Sequence, residues 1–258
     1  MKKTIKYVLL GVAMYLIFLA GTLPASWIYG HWLRTHLGSW ALYGVQGTVW
    51  EGRASLAKSG NLELENLRWD FHPLDLLRGR VEVGLRFKYA AAPSAMVVGR
   101  SFTGTWHADD VDLELPAQRL SPLLRLPGAE LGGKLSVNLS ELTMRRGRIM
   151  AATGSVEWEK AAVRKPVAVD LGTFTVNLKT TAEGVSGTLL DHGGAVQAQG
   201  ILKLNADGKY QFTATFASRD PRQPLITQGL RLFGTPGPDG RVKYSAAGVV
   251  PSIIPGTV

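Results

Sequence analysis

The sequence predicts an all-β domain of many short antiparallel strands, forming a curved or elongated sheet, behind one N-terminal transmembrane helix. Three observations carry this prediction. No charged residue occurs between Tyr7 and Gly30, directly after Lys2, Lys3 and Lys6. Apolar and polar residues then alternate with period two along most of the chain, the spacing of a strand with one buried face. The thirty glycines and thirteen prolines cluster at the ends of the alternating runs, as many short strands joined by turns require.

The anchor comes first. Tyr7 to Leu23 is apolar, and a bilayer core of ~30 Å takes roughly 20 helical residues. Tyr7 to Tyr29 supplies that length with Thr22, Pro24 and Ser26 near its outer end. The lysines hold the start of the chain inside while the body crosses. Trp27, Tyr29 and Trp32 follow where amphipathic rings settle at the far interface, and the polar chain begins at His31 and Arg34. This gives a cytoplasmic start (1–6), an anchor (7–29) and an extracytoplasmic β-rich domain (30–258). A cleaved leader is the competing reading, because Ala20, Gly21, Ala25 and Ser26 are small. A cut after Ala25 would leave Leu23 where a small residue is wanted. Either way the body is exported.

The strands follow in order. Leu62 and Leu64 alternate with Asn61, Glu63 and Glu65, and Val81, Val83, Leu85, Phe87 and Tyr89 alternate with Glu82, Arg86 and Lys88. Leu135, Val137 and Leu139 repeat the pattern before Leu142, and Phe174, Val176 and Leu178 before Gly184. The clearest signal is a hairpin. Val196, Ala198, Leu202 and Leu204 lead into Asn205, Ala206, Asp207 and Gly208, and Tyr210, Phe212, Ala214 and Phe216 alternate back out. Helix is scarce beyond the anchor: His72–Arg78 is a candidate with Pro73 at its first position, and Gln223–Phe233 another. Pro116, Pro122 and Pro127 mark either a domain boundary or a loop within one sheet between Pro116 and Gly133. Thr48–Glu51 and Ser155–Glu159 echo each other weakly, each a strand with a tryptophan, without amounting to a repeat.

Composition sets the class. Hydrophobic content of 45% and charged content of 19% belong to a globular chain that can bury a core. There is no cysteine, which excludes disulfides, thiolate chemistry and cysteine-bound zinc. The net charge is +9, with three of the lysines in the cytoplasmic start and one knot at Arg145, Arg146 and Arg148. Nucleic acid is out of reach in an exported domain; anionic lipid head groups or an acidic partner suit the charge better.

No arrangement of residues signals catalysis, a cofactor or a metal. His31, His36, His72, His107 and His192 lack metal-ligand spacing. His107 with Asp109, Asp110 and Asp112 is the most suggestive group, but alternation sends neighbours to opposite faces, and it reads as a solvated acidic turn. Asp191 beside His192 has no activated nucleophile near it, and Gly193 and Gly194 make it a turn. The run Gly234–Gly240 fails as a phosphate cradle, since two prolines remove donors and a strand follows from Arg241. Trp50, Trp69, Trp106 and Trp158 are core or groove lining on strands.

Gly47, Thr48, Val49, Trp50, Glu51, Gly52, Arg53 and Ala54, then Leu67, Arg68, Trp69, Pro73, Leu76 and Gly79, resemble the type II secretion system protein N family. Gly154, Val156 and Trp158, Gly187, Leu189, Asp191, Gly193 and Gly194, Gly200, Leu202, Gly208 and Tyr210, and Pro238, Asp239, Gly240 and Arg241 continue the likeness across the chain. Proteins of the AsmA-like group have similar anchors and Trp-x-x-x-Pro strand ends. The resemblance implies a single-pass inner-membrane protein, its N-terminus cytoplasmic and its bulk periplasmic. It implies an accessory, non-enzymatic role beside the machinery that exports folded periplasmic proteins, with other secretion components as partners. AsmA-like lipid binding or transport is the alternative. The family's glycines and tryptophans are expected to serve backbone geometry.

Overall fold

The computed structural model describes residues 2–60, 62–71, 73, 79–120, 130–165, 168–220, 222–231 and 234–250. They form fourteen strands, antiparallel in every pairing within each unit, and a few helical segments. The chain divides into two compact units, Met1–Ala91 and Ala92–Val258.

The first unit opens with α1 (Lys2–Gly21). Its side chains from Tyr7 to Leu19 are exposed where described, including Val8, Leu9, Leu16 and Phe18. Thr22 closes the helix by donating Oγ1 to Phe18 O at 2.9 Å, and Pro24 then turns extended at φ −69°, ψ 130°. A short helical run resumes as α2 (Ala25–Ile28), a wide π turn (Tyr29–Leu33) and α3 (Arg34–His36). The expected span 7–29 is therefore two helical pieces, because proline lacks the N–H that a continuous helix needs. The uncharged part of α1 is roughly 22 Å long at 1.5 Å per residue. Among the described residues no helix is long and apolar enough to cross a membrane.

Five strands complete this unit: β1 (Ala41–Tyr43), β2 (Gln46–Gly47), β3 (Glu51–Ser59), β4 (Leu62–Phe71) and β5 (Arg80–Tyr89). β3 lies between β1 and β4, β2 also pairs with β3, and β5 follows β4. The alternation read at 62–64 and 81–89 falls on β4 and β5, where Phe87 is buried and its neighbours Arg86 and Lys88 are exposed. Asn66, at φ 52°, makes the bulge that shifts β4 against β5. Of the helix expected at 72–78 only Pro73, which is exposed, belongs to the described residues.

The second unit is a meander of β6 (Ala92–Ser101), β7 (Thr105–Pro116), β8 (Glu130–Arg145), β9 (Arg148–Lys165), β10 (Val169–Thr181), β11 (Gly184–Asp191), β12 (Val196–Asn205), β13 (Lys209–Ser218) and β14 (Val242–Val249). Each strand pairs with the next in sequence. The expected hairpin is β12–β13, in register from Val196 opposite Ser218 to Leu204 opposite Tyr210. Its turn is closed by Gly208 N donating to Asn205 O at 2.9 Å, with Gly208 at φ +86°. The helix expected near 223–233 is α4 (Pro224–Leu230), started by Pro224.

One expectation changes, and one open alternative narrows. His107 to Asp112 is not an acidic turn but the middle of β7, which pairs with β8 from Thr105 to Pro116. Val111, Leu113 and Leu115 hold it there, and only Asp110, at φ 49°, bulges out. The strands on either side of the 117–129 stretch pair with one another, Pro116 facing Lys134, within the second unit, and residues 121–129 lie outside the described residues.

Candidate functional site: an apolar sheet face and its tryptophan mount

Register places the apolar residues of the second unit on one face. Following partners from strand to strand gives Leu113, Val137, Val156, Val176, Leu189, Gly200, Ala214 and Tyr244 in one row. The neighbouring row holds Leu115, Leu135, Trp158 and Phe174. The opposite face carries Ser155, Asn177, Thr188, Ile201, Thr213 and Ser245. This face bends: Cα atoms of β9 and β11 approach within 8 Å across β10, whereas flat strands two apart lie ~9.6 Å away. Register shifts around Gly172, at φ +119°, supply the kink.

Large side chains close over glycines on this face. A Cβ on Gly187 would stand 3.1 Å from Leu178 and 3.2 Å from Leu202; one on Gly248 would meet the Tyr210 ring at 3.0 Å. Gly200 sits under Phe212 in the same way. The site residues Gly200 and Tyr210 thus belong to the sealing of the face. At one end Val196, Ile226, Leu230 and Val242 form a buried cluster, beside a recess of about 620 Å³ between Val169, Gly172, Gly194 and Leu225. At the other end Ala152, Val185 and Leu204 form a second cluster.

A carboxylate knot ties the first end. Asp191 accepts from Gly193 N and Ala198 N, each at 3.1 Å, and from the Arg219 guanidinium. Its side chain is 7% exposed. Burial pushes its pKa up, but the Ala198 amide, the Arg219 guanidinium and the Gly193 amide outweigh that and hold the carboxyl below its ordinary value. Gly193 and Gly194, at φ +87° and +108°, make the turn possible. His192 is engaged elsewhere, its Nε2 2.8 Å from Thr175 Oγ1. Asp191 and His192 therefore do not face one another as base and orienter. His107 Nδ1 lies 3.3 Å from Thr143 Oγ1. Among the described residues no group of three His, Asp or Glu could hold a metal ion.

The first-unit motif residues meet at the end of α1. Trp50 Nε1 donates to Ala20 O at 2.7 Å, Val49 N to Leu23 O at 3.1 Å, and Thr48 bridges to Pro24. Trp69 Nε1 donates to Val49 O at 3.1 Å, and its ring lies flat over Gly52, where a Cβ would collide with it. Gly47, at φ +89°, passes so close to Glu51 O that a Cβ would lie 2.7 Å from it. Trp158 repeats the device in the second unit, donating to Gly132 O at 2.9 Å. Three tryptophans thus staple backbone, which alternation alone does not reveal. Trp106 differs, with Arg100 stacked 5.2 Å above its ring. Gly79 (φ +77°) opens β5, and Asp239 with Gly240 turns the chain into β14, Asp239 Oδ1 accepting from Arg241 N at 3.1 Å. Within each unit the motif residues fall in several separate groups.

These groups fall within the matched part of a known family. Residues 38–245 match the family model described as type II secretion system (T2SS), protein N. The chain is 28% identical to a type II secretion system protein N of Vibrio cholerae over 79% of this chain and 81% of that one. It is 28% identical to one of Aeromonas hydrophila over 93% and 96%, and 27% identical to one of Klebsiella pneumoniae over 95% of each. No solved structure matches. With the match covering both the mount and the apolar face, the chain belongs to the type II secretion system protein N family.

Proposed function

We propose that this protein is a membrane-anchored accessory component of the type II secretion system, acting in the periplasm through contacts with other components of that machine. The observation that carries the contact reading is the edge at β14. Among the described residues that strand pairs with β13 on one side from Val242 to Val249; its other side is met at Val242 and Lys243 by Pro236 and Gly234, so the reading rests on Ser245–Val249. An open strand edge presents unpaired amide and carbonyl groups to an incoming strand. The anchor reading is supported by α1, whose lysine-bearing start and outer Thr22–Pro24 step would lie at the two head-group layers, with its exposed apolar middle between them. No residue is assigned a catalytic role.

A second reading rests on a different observation. The apolar face of the second unit is packed by side chains of its own strands and by α4 rather than by a second sheet. Such a face can shelter acyl chains, and this is the lipid-handling alternative. Removing the gene and following both cargo export and outer-membrane composition separates the two. Cargo retained in the periplasm with unchanged lipids supports the secretion role; altered lipids with normal export overturn it in favour of lipid handling.

A further inference from the structure

We propose that the segment from Pro24 to Trp32, hooked to residues 48–50, is an interfacial seat that holds the first unit against the outer surface of the phospholipid bilayer. The seat presupposes the membrane-anchored reading of α1. The segment is two-sided. Ala25 is 6% exposed, and the half-buried Tyr29 Oη accepts from Leu42 N at 2.7 Å, so that side belongs to the sheet. Trp27 and Trp32 are 55% and 57% exposed. They follow in the chain directly after α1, whose Tyr15, Leu16, Phe18 and Leu19 are likewise exposed. The Trp27 ring is held in place: His31 stacks on it with centroids 4.8 Å apart and donates Nδ1–H to Trp27 O at 3.0 Å.

Continuity with α1 names the occupant. A bilayer that takes the apolar helix must meet whatever follows Gly21 within one or two turns, and indole rings prefer the head-group layer, where apolar body and polar N–H are both satisfied. The exposed Arg34, two residues beyond Trp32, supplies a cation for lipid phosphates. The hook makes this seat rigid. Trp50 Nε1 to Ala20 O and the Thr48–Pro24 bridge, made by Val49 N donating to Leu23 O, join the sheet to the end of α1 by two backbone-directed links. Trp50 is thus a positioning residue, fixing where the sheet stands relative to the membrane.

Because the chain has no cysteine, single introduced thiols report one place each. The full chain carrying W32C, and separately S245C as a reference on β14, is labelled with an environment-sensitive fluorophore and placed in phosphatidylethanolamine/phosphatidylglycerol nanodiscs. Quenching is read with lipids bearing nitroxide at the head group and with aqueous iodide. The expected result at position 32 is several-fold stronger quenching by the head-group nitroxide than by iodide, with iodide quenching well below that at the exposed position 245. Adding W50F should weaken the head-group quenching at 32 severalfold while the far-ultraviolet spectrum stays that of the parent. Iodide quenching at 32 equal to that at 245, in a chain that still resists alkaline extraction, overturns the seat and leaves the anchor standing. Shielding of position 32 from both quenchers overturns it in favour of a protein partner or a second copy. Release of the chain by alkali removes the anchor, and the seat with it.

Discussion

In Met1–Ala91 the sheet is held from outside itself: indole N–H groups reach carbonyls of the preceding helical segment and of the strand edge. In Ala92–Val258 the strands carry their own apolar clusters, and a buried carboxylate ties the turns at one end. The buried residues of the first unit's strands are mainly alanine, Ala54 and Ala57, joined by Phe87. Small side chains release little free energy on burial, about 0.8 kcal/mol per CH₂-sized group. The first unit therefore leans on directional bonds, and the second on area.

The contrast can be broken most forcefully at Gly52. Replacing it with valine drives atoms into the Trp69 ring and pulls its N–H away from Val49, at a cost of about 3 kcal/mol. Limited proteolysis should then cut the first unit while the second stays resistant; equal loss of both would show that the two are not independently held. Asp191→Asn comes next. It removes the charge from a nearly buried acceptor, at a cost of about 2 kcal/mol to the second unit. The folded pKa of Asp191 is depressed, so the knot contributes stability above the unfolded carboxylate range, and that contribution is lost as pH falls through the folded value. The parent's resistance to chemical denaturation should weaken below about pH 4, and the Asn variant should show a flatter acid limb.

Trp50→Phe keeps a ring beside Phe71 but drops the donor to Ala20 O, at a cost of about 1 kcal/mol. Thermal unfolding should report the loss in the first unit alone. The smallest effect on stability is expected on β14. Adjacent N–H groups in a strand point to opposite edges, so of Ser245→Pro and Ala246→Pro one disrupts pairing with β13 and the other touches only the outer edge. The outer-edge variant should fold normally yet lose copurification with secretion components. Unchanged copurification in that variant would remove the edge from the interface.

Much of the strand layout was legible because alternation is local. The hairpin Val196–Phe216 is visible in sequence, since its register follows from a four-residue turn. Val81–Tyr89 reads as the strand that it is. What escaped was set by contacts between distant residues. Nothing in the run from Thr48 to Trp50 shows that its indole reaches a carbonyl thirty positions earlier. The helical segment after Pro24 escaped as well, because its aromatic residues read as an interfacial belt on one continuous span. Asp110 was read as part of a turn because acidic residues crowd around it, whereas Val111, Leu113 and Leu115 decide the local structure. At Gly47 and Gly194 φ is positive, a backbone conformation that favours glycine. That Gly52 and Gly200 instead make room for an aromatic ring depends on cross-strand register.

Within each unit nearly every strand finds its partner in the strand just before or after it. A polypeptide threaded vectorially through a pore can therefore zip up hairpin by hairpin as it emerges, without waiting for its far end. Most of these hairpins close over a short connection, those before β8 and β14 being longer, which keeps the entropic barrier low. The same sequential order lets a lineage gain or lose a whole hairpin while the remaining strands keep their register.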